Sequence, residues 1–176
     1  SSTQNLYCSI RTGPGAWSRE IVDTSTNNLY STENSLCINA AGQPVIAYYL
    51  NGQSQLKIAT RLGPDNWSKE VVTTNLGTTN FIYPQLDIDS AGNFHLVYND
   101  RVTQVKIYAV KAAGGGWTFY NMGGTTTIQK LHYLRASAVG QPRIVTGDLF
   151  FDTAWEIKSP VAGASWVEGT SRLVAW

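Results

Sequence analysis

Charge is the scarcest ingredient of this 176-residue chain. Only 14% of its residues are Asp, Glu, Lys or Arg, against roughly a quarter in an ordinary soluble domain. Thirteen basic and twelve acidic side chains leave a formal charge of +1, with no Lys/Arg block to neutralise a run of phosphates, so nucleic acid is not expected as a partner. Long apolar runs are missing as well. The apolar stretches are short and alternate with polar residues, far from the roughly twenty apolar residues of a membrane span. Cysteine is nearly absent: Cys8 and Cys37 cannot make a disulfide framework, and one bridge or two free thiols both stay open. The two histidines, His95 and His132, have no carboxylate or cysteine at ligand spacing, which argues against a zinc site. Helical periodicity, a Gly-rich phosphate loop and a serine nucleophile elbow are all lacking, so neither a metal nor an organic cofactor is expected. No charged segment followed by an apolar one opens the chain. Low charge and abundant Thr, Asn and Gly then favour a mature exported protein, secreted and extracellular, over a cytosolic one.

What the chain has is aromatic and small residues: six Trp, nine Tyr and sixteen Gly, with Thr and Val, a composition of strands and tight turns. It also repeats itself. Asn5 to Val22 lies over Gln55 to Val72 without a gap, matching at Leu6/Leu56, Arg11/Arg61, Gly13/Gly63, Pro14/Pro64, Trp17/Trp67, Ser18/Ser68, Glu20/Glu70 and Val22/Val72. A third copy leads to Trp117 and a more diverged fourth to Trp166, so the tryptophans recur at spacings of 50, 50 and 49.

A second recurring element lies between these segments, SLCINAAGQPVIAYY from Ser35, QLDIDSAGNFHLVYN from Gln85 and YLRASAVGQPRIVTG from Tyr133. Leu36 and Ile38, then Leu86 and Ile88, alternate with polar residues at the strand period of two. Gly42, Gly92 and Gly140 then mark tight turns into a second strand. Each period reads as strands A, B, C and D of one antiparallel unit. Such a unit cannot bury both faces alone, so the expected fold class is all-β, a β-propeller of stacked four-stranded blades. Residues 1–176 are expected as a single propeller or partial propeller domain, with repeats at about 1–23 (strands C and D only), 34–73, 83–122 and 131–170. That makes about 3.5 blades, and the tail SRLVAW is too short to supply strands A and B of the first. A homo-oligomer, another chain completing the ring, or a place within a longer chain is expected ahead of a closed monomer.

The segment PQLDIDSAGNFHLVYND, with the later QVKIYAVKAAGGGW, resembles the repeats of secreted bacterial propellers, which run aliphatic-Asp-Ser-Gly-Asn-Pro-His-aliphatic-Tyr, then Leu-Lys-Tyr-Ala, then Trp. It is similar to propeller lectins of the fucose-binding type, and more loosely to the Asp-box repeats of sialidases. Asp89 and Gly92 are followed by Phe94 and His95 where an Asp-box would place a nearby Trp. The resemblance implies a non-enzymatic, glycan-binding propeller whose partner is a glycan or glycoprotein. A structural, adhesion or protein-assembly propeller is the alternative, and a sialidase-like glycosidase comes third.

Glycoside hydrolysis needs two carboxylates astride the bond, and Glu20, Glu70, Asp87, Asp89, Asp100, Asp148 and Asp152 are the candidates. Glu20 and Glu70 recur at one repeat position and Asp89 sits at a turn, which fits structural roles, so no catalytic residue is assigned. Binding a sugar asks for less: an aromatic face against its C–H surface and a few polar groups for its hydroxyls. The loop after strand B varies between copies and offers both, so Tyr48, Tyr49, Asn51, Tyr98, Asn99, Asp100 and Arg101 are candidate ligand-binding residues. Trp67 and Trp117 join them as residues either of a groove between blades or, the preferred reading, of the packing between them.

Overall fold

The computed structural model describes residues 3–26, 30–77, 81–123, 132–136 and 142–146. Strands C and D of the fourth copy, Asp148, Asp152, Trp166 and the tail lie outside them. The described chain is all-β, in four antiparallel sheets. Sheet I pairs β1 (Thr3–Gly13) with β2 (Ala16–Thr26). Sheet II runs in chain order through β3 (Tyr30–Ile38), β4 (Pro44–Leu50), β5 (Gln55–Gly63) and β6 (Asn66–Thr74). Sheet III repeats that order with β7 (Gln85–Ile88), β8 (Phe94–Asp100), β9 (Val105–Lys111) and β10 (Trp117–Asn121). Sheet IV pairs β11 (His132–Ala136) with β12 (Pro142–Thr146). The strands A, B, C and D read from the sequence are therefore β3 to β6 and β7 to β10. One 3-10 turn, Asn51–Gln53, is the only helical element among the described residues.

Turn chemistry sets the strand ends. Between β7 and β8, Asp89 accepts from the backbone N–H of Ala91 and of Asn93, both at 2.9 Å, and Gly92 supplies φ +82°. Fifty residues earlier Asn39 does the same for Ala41 and Gln43, with Gly42 at φ +75°. The same backbone is thus built on an amide in one copy and a carboxylate in the other.

Successive sheets pack face to face, and each of the three contacts has its own core. Cys8 and Val22 of sheet I meet Ile46, Tyr48, Ala59 and Trp67 of sheet II. The opposite face of sheet II, with Val45, Ala47, Tyr49, Leu56 and Ile58, meets Leu86, Leu96, Tyr98 and Ala109 of sheet III. Val97 and Tyr108 of sheet III meet Leu134 and Ile144 of sheet IV. Strand B of each full sheet is covered on both faces, so β4 is buried from Val45 to Leu50 and β8 from His95 to Asn99. The two cysteines are free thiols buried in different cores, Cys8 between sheets I and II and Cys37 between II and III. Burial, with Asp87 nearby, pushes the Cys37 thiol up to about 12.

A bulge recurs with the repeat. The β1–β2 register shifts between Leu6 and Tyr7, and the β5–β6 register between Leu56 and Lys57. Val22 and Val72 are the extra residues. In a regular strand, side chains three positions apart point to opposite faces; one inserted residue returns them to the same face. Glu20 and Asp23 consequently both reach sheet II, and Glu70 and Thr73 both reach sheet III. The β9–β10 pairing runs without a shift.

Candidate functional site

The residues that recur with the repeat are spent on joining sheets. Glu20 accepts both arms of the Arg61 guanidinium, at 2.9 and 2.7 Å, and the Trp67 indole N–H at 3.2 Å. Those Arg61 bonds hold the Glu20 carboxyl below the usual carboxylate range, against the opposing effect of burial. One period on, Glu70 accepts from Trp117 at 2.7 Å and from Lys111 at 2.5 Å. Asp23 accepts from the Tyr48 hydroxyl at 2.8 Å, Lys69 at 3.1 Å and Lys57 at 3.2 Å. Burial alone would raise its pKa; these donors outweigh burial and bring it down. Thr73 stands at the Asp23 position of the next period, beside the Tyr98 hydroxyl. Asp87 accepts from the Ala136 N–H of sheet IV at 2.9 Å. Among the described carboxylates that the sequence offered as catalytic candidates, each has such a structural partner, Asp100 through its own turn.

These contacts place four of the nominated residues. Trp67 is 8% exposed and Tyr48 is 1% exposed, both between sheets I and II. Tyr98 is buried between sheets II and III, where the half-buried Trp117 packs edge-on against Phe94, ring centroids 6.4 Å apart. A cavity of about 40 Å³ beside Trp117, lined by Ile58, Thr60, Ser68, Glu70, Phe94 and Lys111, has room for water and not for a sugar ring. Trp67 and Trp117 thus follow the packing reading.

The other nominated residues converge at one end of the stack, where two loops flank the crossover from β6 to β7. The first loop, Asn51 to Ser54, turns on Ser54 at φ +50°, whose hydroxyl donates to the Gly77 carbonyl at 3.0 Å. The buried Tyr49 hydroxyl donates to the same carbonyl. In the second loop Asp100 accepts from the N–H of Val102 at 2.9 Å and of Thr103 at 3.2 Å, which fixes the turn. Gly77 passes against this loop, since a Cβ on it would lie 3.8 Å from both the Arg101 Cβ and the Val102 Cγ2. Asn99 ties the crossover down from β8, its N–H donating to Ile82 O at 2.8 Å and its amide to Phe81 O at 3.2 Å.

The crossover itself carries an aromatic pair that the repeat does not announce. Phe81 and Tyr83 both take left-handed backbone, φ +85° and +48°, which is uncommon for bulky residues and costs on the order of 1–3 kcal/mol each. Glu33 of β3 holds them there. Its carboxylate accepts from Phe81 N–H at 3.0 and 3.1 Å and from Tyr83 N–H at 2.8 Å. Ile82, between them, is fully buried and anchors the turn. The two rings lie 6.1 Å apart, and the Arg101 guanidinium stands 6.0 Å from the Phe81 ring centre. Burial, then the nearby Glu33 charge, push the Tyr83 phenol above its ordinary value, so it stays a neutral donor.

Asn51, Asn99, Asp100 and Arg101 therefore share one rim with Phe81, Tyr83 and Glu33, the last three not among the residues nominated from the sequence. The run Phe81-Ile82-Tyr83-Pro84 after Thr78-Thr79-Asn80 was the available signal, an apolar aromatic burst in a polar connection. Among the described residues no group of three His, Cys, Asp or Glu is placed to hold a metal, and no helix is long and apolar enough to cross a membrane. Scanned against family models and against curated proteins, the chain finds no match.

Proposed function

We propose that the chain is a section of a secreted β-propeller that binds glycans without catalysis, at the rim formed by Phe81, Tyr83, Arg101 and Asn51. The observation that carries this reading is the Phe81/Tyr83 pair, held in costly backbone by Glu33 beside a guanidinium. Aromatic rings offer faces to sugar C–H groups, and Arg101, the Tyr83 hydroxyl and the Asn51 amide offer partners for hydroxyls. The carboxylates at this rim are already engaged, Glu33 by backbone N–H groups and Asp100 by its own turn, which favours recognition over hydrolysis. Low charge and the resemblance to secreted propeller lectins support an extracellular setting. The stacked four-stranded sheets, each sharing a core with the next, support the propeller arrangement.

A glycan array followed by titration tests the reading. Binding at micromolar to millimolar concentrations is expected, weakened about tenfold, or about 1.4 kcal/mol, by Tyr83→Ala or Arg101→Ala in a protein of unchanged circular dichroism. Failure to bind any sugar at millimolar concentration would reject it. A propeller whose partner is a protein is the second reading, favoured by Trp17, which is 65% exposed on sheet I.

A further inference from the structure

The donors that hold sheet II against sheet I are Arg61 and Trp67 to Glu20, and Lys57 and Lys69 to Asp23. Fifty residues earlier, at the same positions of sheet I, stand Arg11, Trp17, Tyr7 and Arg19. They lie on its outer face, away from sheet II. Trp17 is 65% exposed where Trp67 is 8% exposed. Arg11 and Arg19 are exposed, Arg19 lying 4.1 Å over the Tyr7 ring. Two guanidiniums and an indole N–H are thus exposed at the positions from which sheet II grips carboxylates, the Arg11 Nε meanwhile donating to the Gly13 carbonyl at 3.2 Å. Like charge disfavours two such faces meeting each other.

Among the described strands the edge of the same sheet is open too. In sheet II strand C, β5, pairs with β6 on one side and with β4 on the other. In sheet I the equivalent β1 pairs with β2 alone among the described strands. An open edge is a row of backbone donors and acceptors ready for another strand.

We infer that the outer face and free edge of sheet I form one docking surface, and that its occupant is a further period of this same repeat, in the order C-D-A-B. Strand B of that period pairs along β1 in the register of β4 on β5, Leu50 opposite Gln55. The glutamate three residues after its strand-D tryptophan accepts from Arg11 and Trp17. Specificity comes from the carboxylate: a sheet without it leaves two arginines facing an apolar surface. The inference depends on sheet-to-sheet packing and is independent of glycan binding.

The test joins a duplicate of residues 5–54 directly ahead of Asn5, which supplies strands C and D with a second Glu20, and strands A and B for β1. The Trp17 signal is isolated as the difference from a Trp17→Phe version of each chain. In the extended protein the Trp17 emission should shift to the blue, its acrylamide quenching should fall several-fold, and the urea midpoint should rise. Glutamate-to-glutamine substitution in the added copy alone should reverse part of that rise. An extended chain that is folded by circular dichroism and monomeric by mass, yet leaves Trp17 as quenchable as before, would overturn the proposal. If that chain does not fold, the period 55–104, which carries Glu70, takes its place; failure of both to give a folded monomer also overturns it.

Discussion

The faces that sheets II and III turn toward the next sheet occupy the same repeat positions and have opposite chemistry. Sheet II presents Val45, Ala47, Tyr49, Leu56 and Ile58, all buried in one apolar core. Fifty residues on, sheet III presents His95, Val97, Asn99, Lys106 and Tyr108, equally buried. His95 bridges Tyr108 and Asp89, Nδ1 lying 2.7 Å from the phenol oxygen and Nε2 3.2 Å from the carboxylate. Tyr108 stacks on Tyr120, which stands where Glu20 and Glu70 stand in the earlier copies. Burial raises the Tyr108 pKa further above its ordinary value, so the phenol remains protonated. A repeat thus fixes a backbone and leaves the joint between units free to vary: the first two joints carry carboxylate clasps to basic side chains, while at the third Asp87 takes the Ala136 N–H and the chain of His95, Tyr108 and Asp89 stays within sheet III.

Substitutions can break or sharpen that contrast. The largest effect is expected at the apolar joint. Leu56→Ala empties a fully buried site and should cost about 3–5 kcal/mol by urea denaturation, whereas a loss below 1 kcal/mol would mean the II–III core is not closely packed. Glu20→Ala comes next. Its side chain is 7% exposed and removing it strands Arg61 and the Trp67 indole, so a loss of about 3 kcal/mol is expected. His95→Val installs the residue that sheet II uses at this position; it deprives Tyr108 and Asp89 of a shared partner and should cost about 1–3 kcal/mol.

Acid should act on the first joint. Glu20 and Asp23 have folded-state pKa values below their unfolded ones, so the unfolded chain takes up protons first as pH falls. Their contribution is complete at neutral pH and lost as pH drops below the ordinary carboxylate range of about 4. The urea midpoint should therefore decline between pH 5 and pH 3, and less steeply in Glu20→Gln. The smallest effect belongs to Glu70→Ala, whose side chain is 43% exposed; less than about 1 kcal/mol is expected, which would rank the two clasps by burial alone.

Much of this was legible in the sequence. The fifty-residue period placed every strand of sheets II and III, and Gly42 and Gly92 marked turns that require positive φ. Recurrence also pointed Glu20 and Glu70 toward the blade, where they bind the next sheet, and favoured packing over a groove for Trp67 and Trp117. The bulges at Val22 and Val72 were not legible, because a bulge is a property of pairing, and without it Glu20 and Asp23 read as facing opposite ways. Tyr48 and Tyr49 defeated the alternation rule for a different reason: β4 is covered on both faces, so neighbouring residues are both buried and polarity does not report exposure. Glu33, Phe81 and Tyr83 escaped notice because a crossover has no period, and a carboxylate 48 residues before the N–H it caps leaves no local signature.

The central claim is that successive repeats are clasped by a carboxylate of one and a basic residue of the next. A double-mutant cycle on Glu20→Gln and Arg61→Met, read by urea denaturation at pH 7, tests it most directly. The 2.7 and 2.9 Å fork predicts a coupling of about 1.5–3 kcal/mol. Additivity within about 0.5 kcal/mol would contradict it.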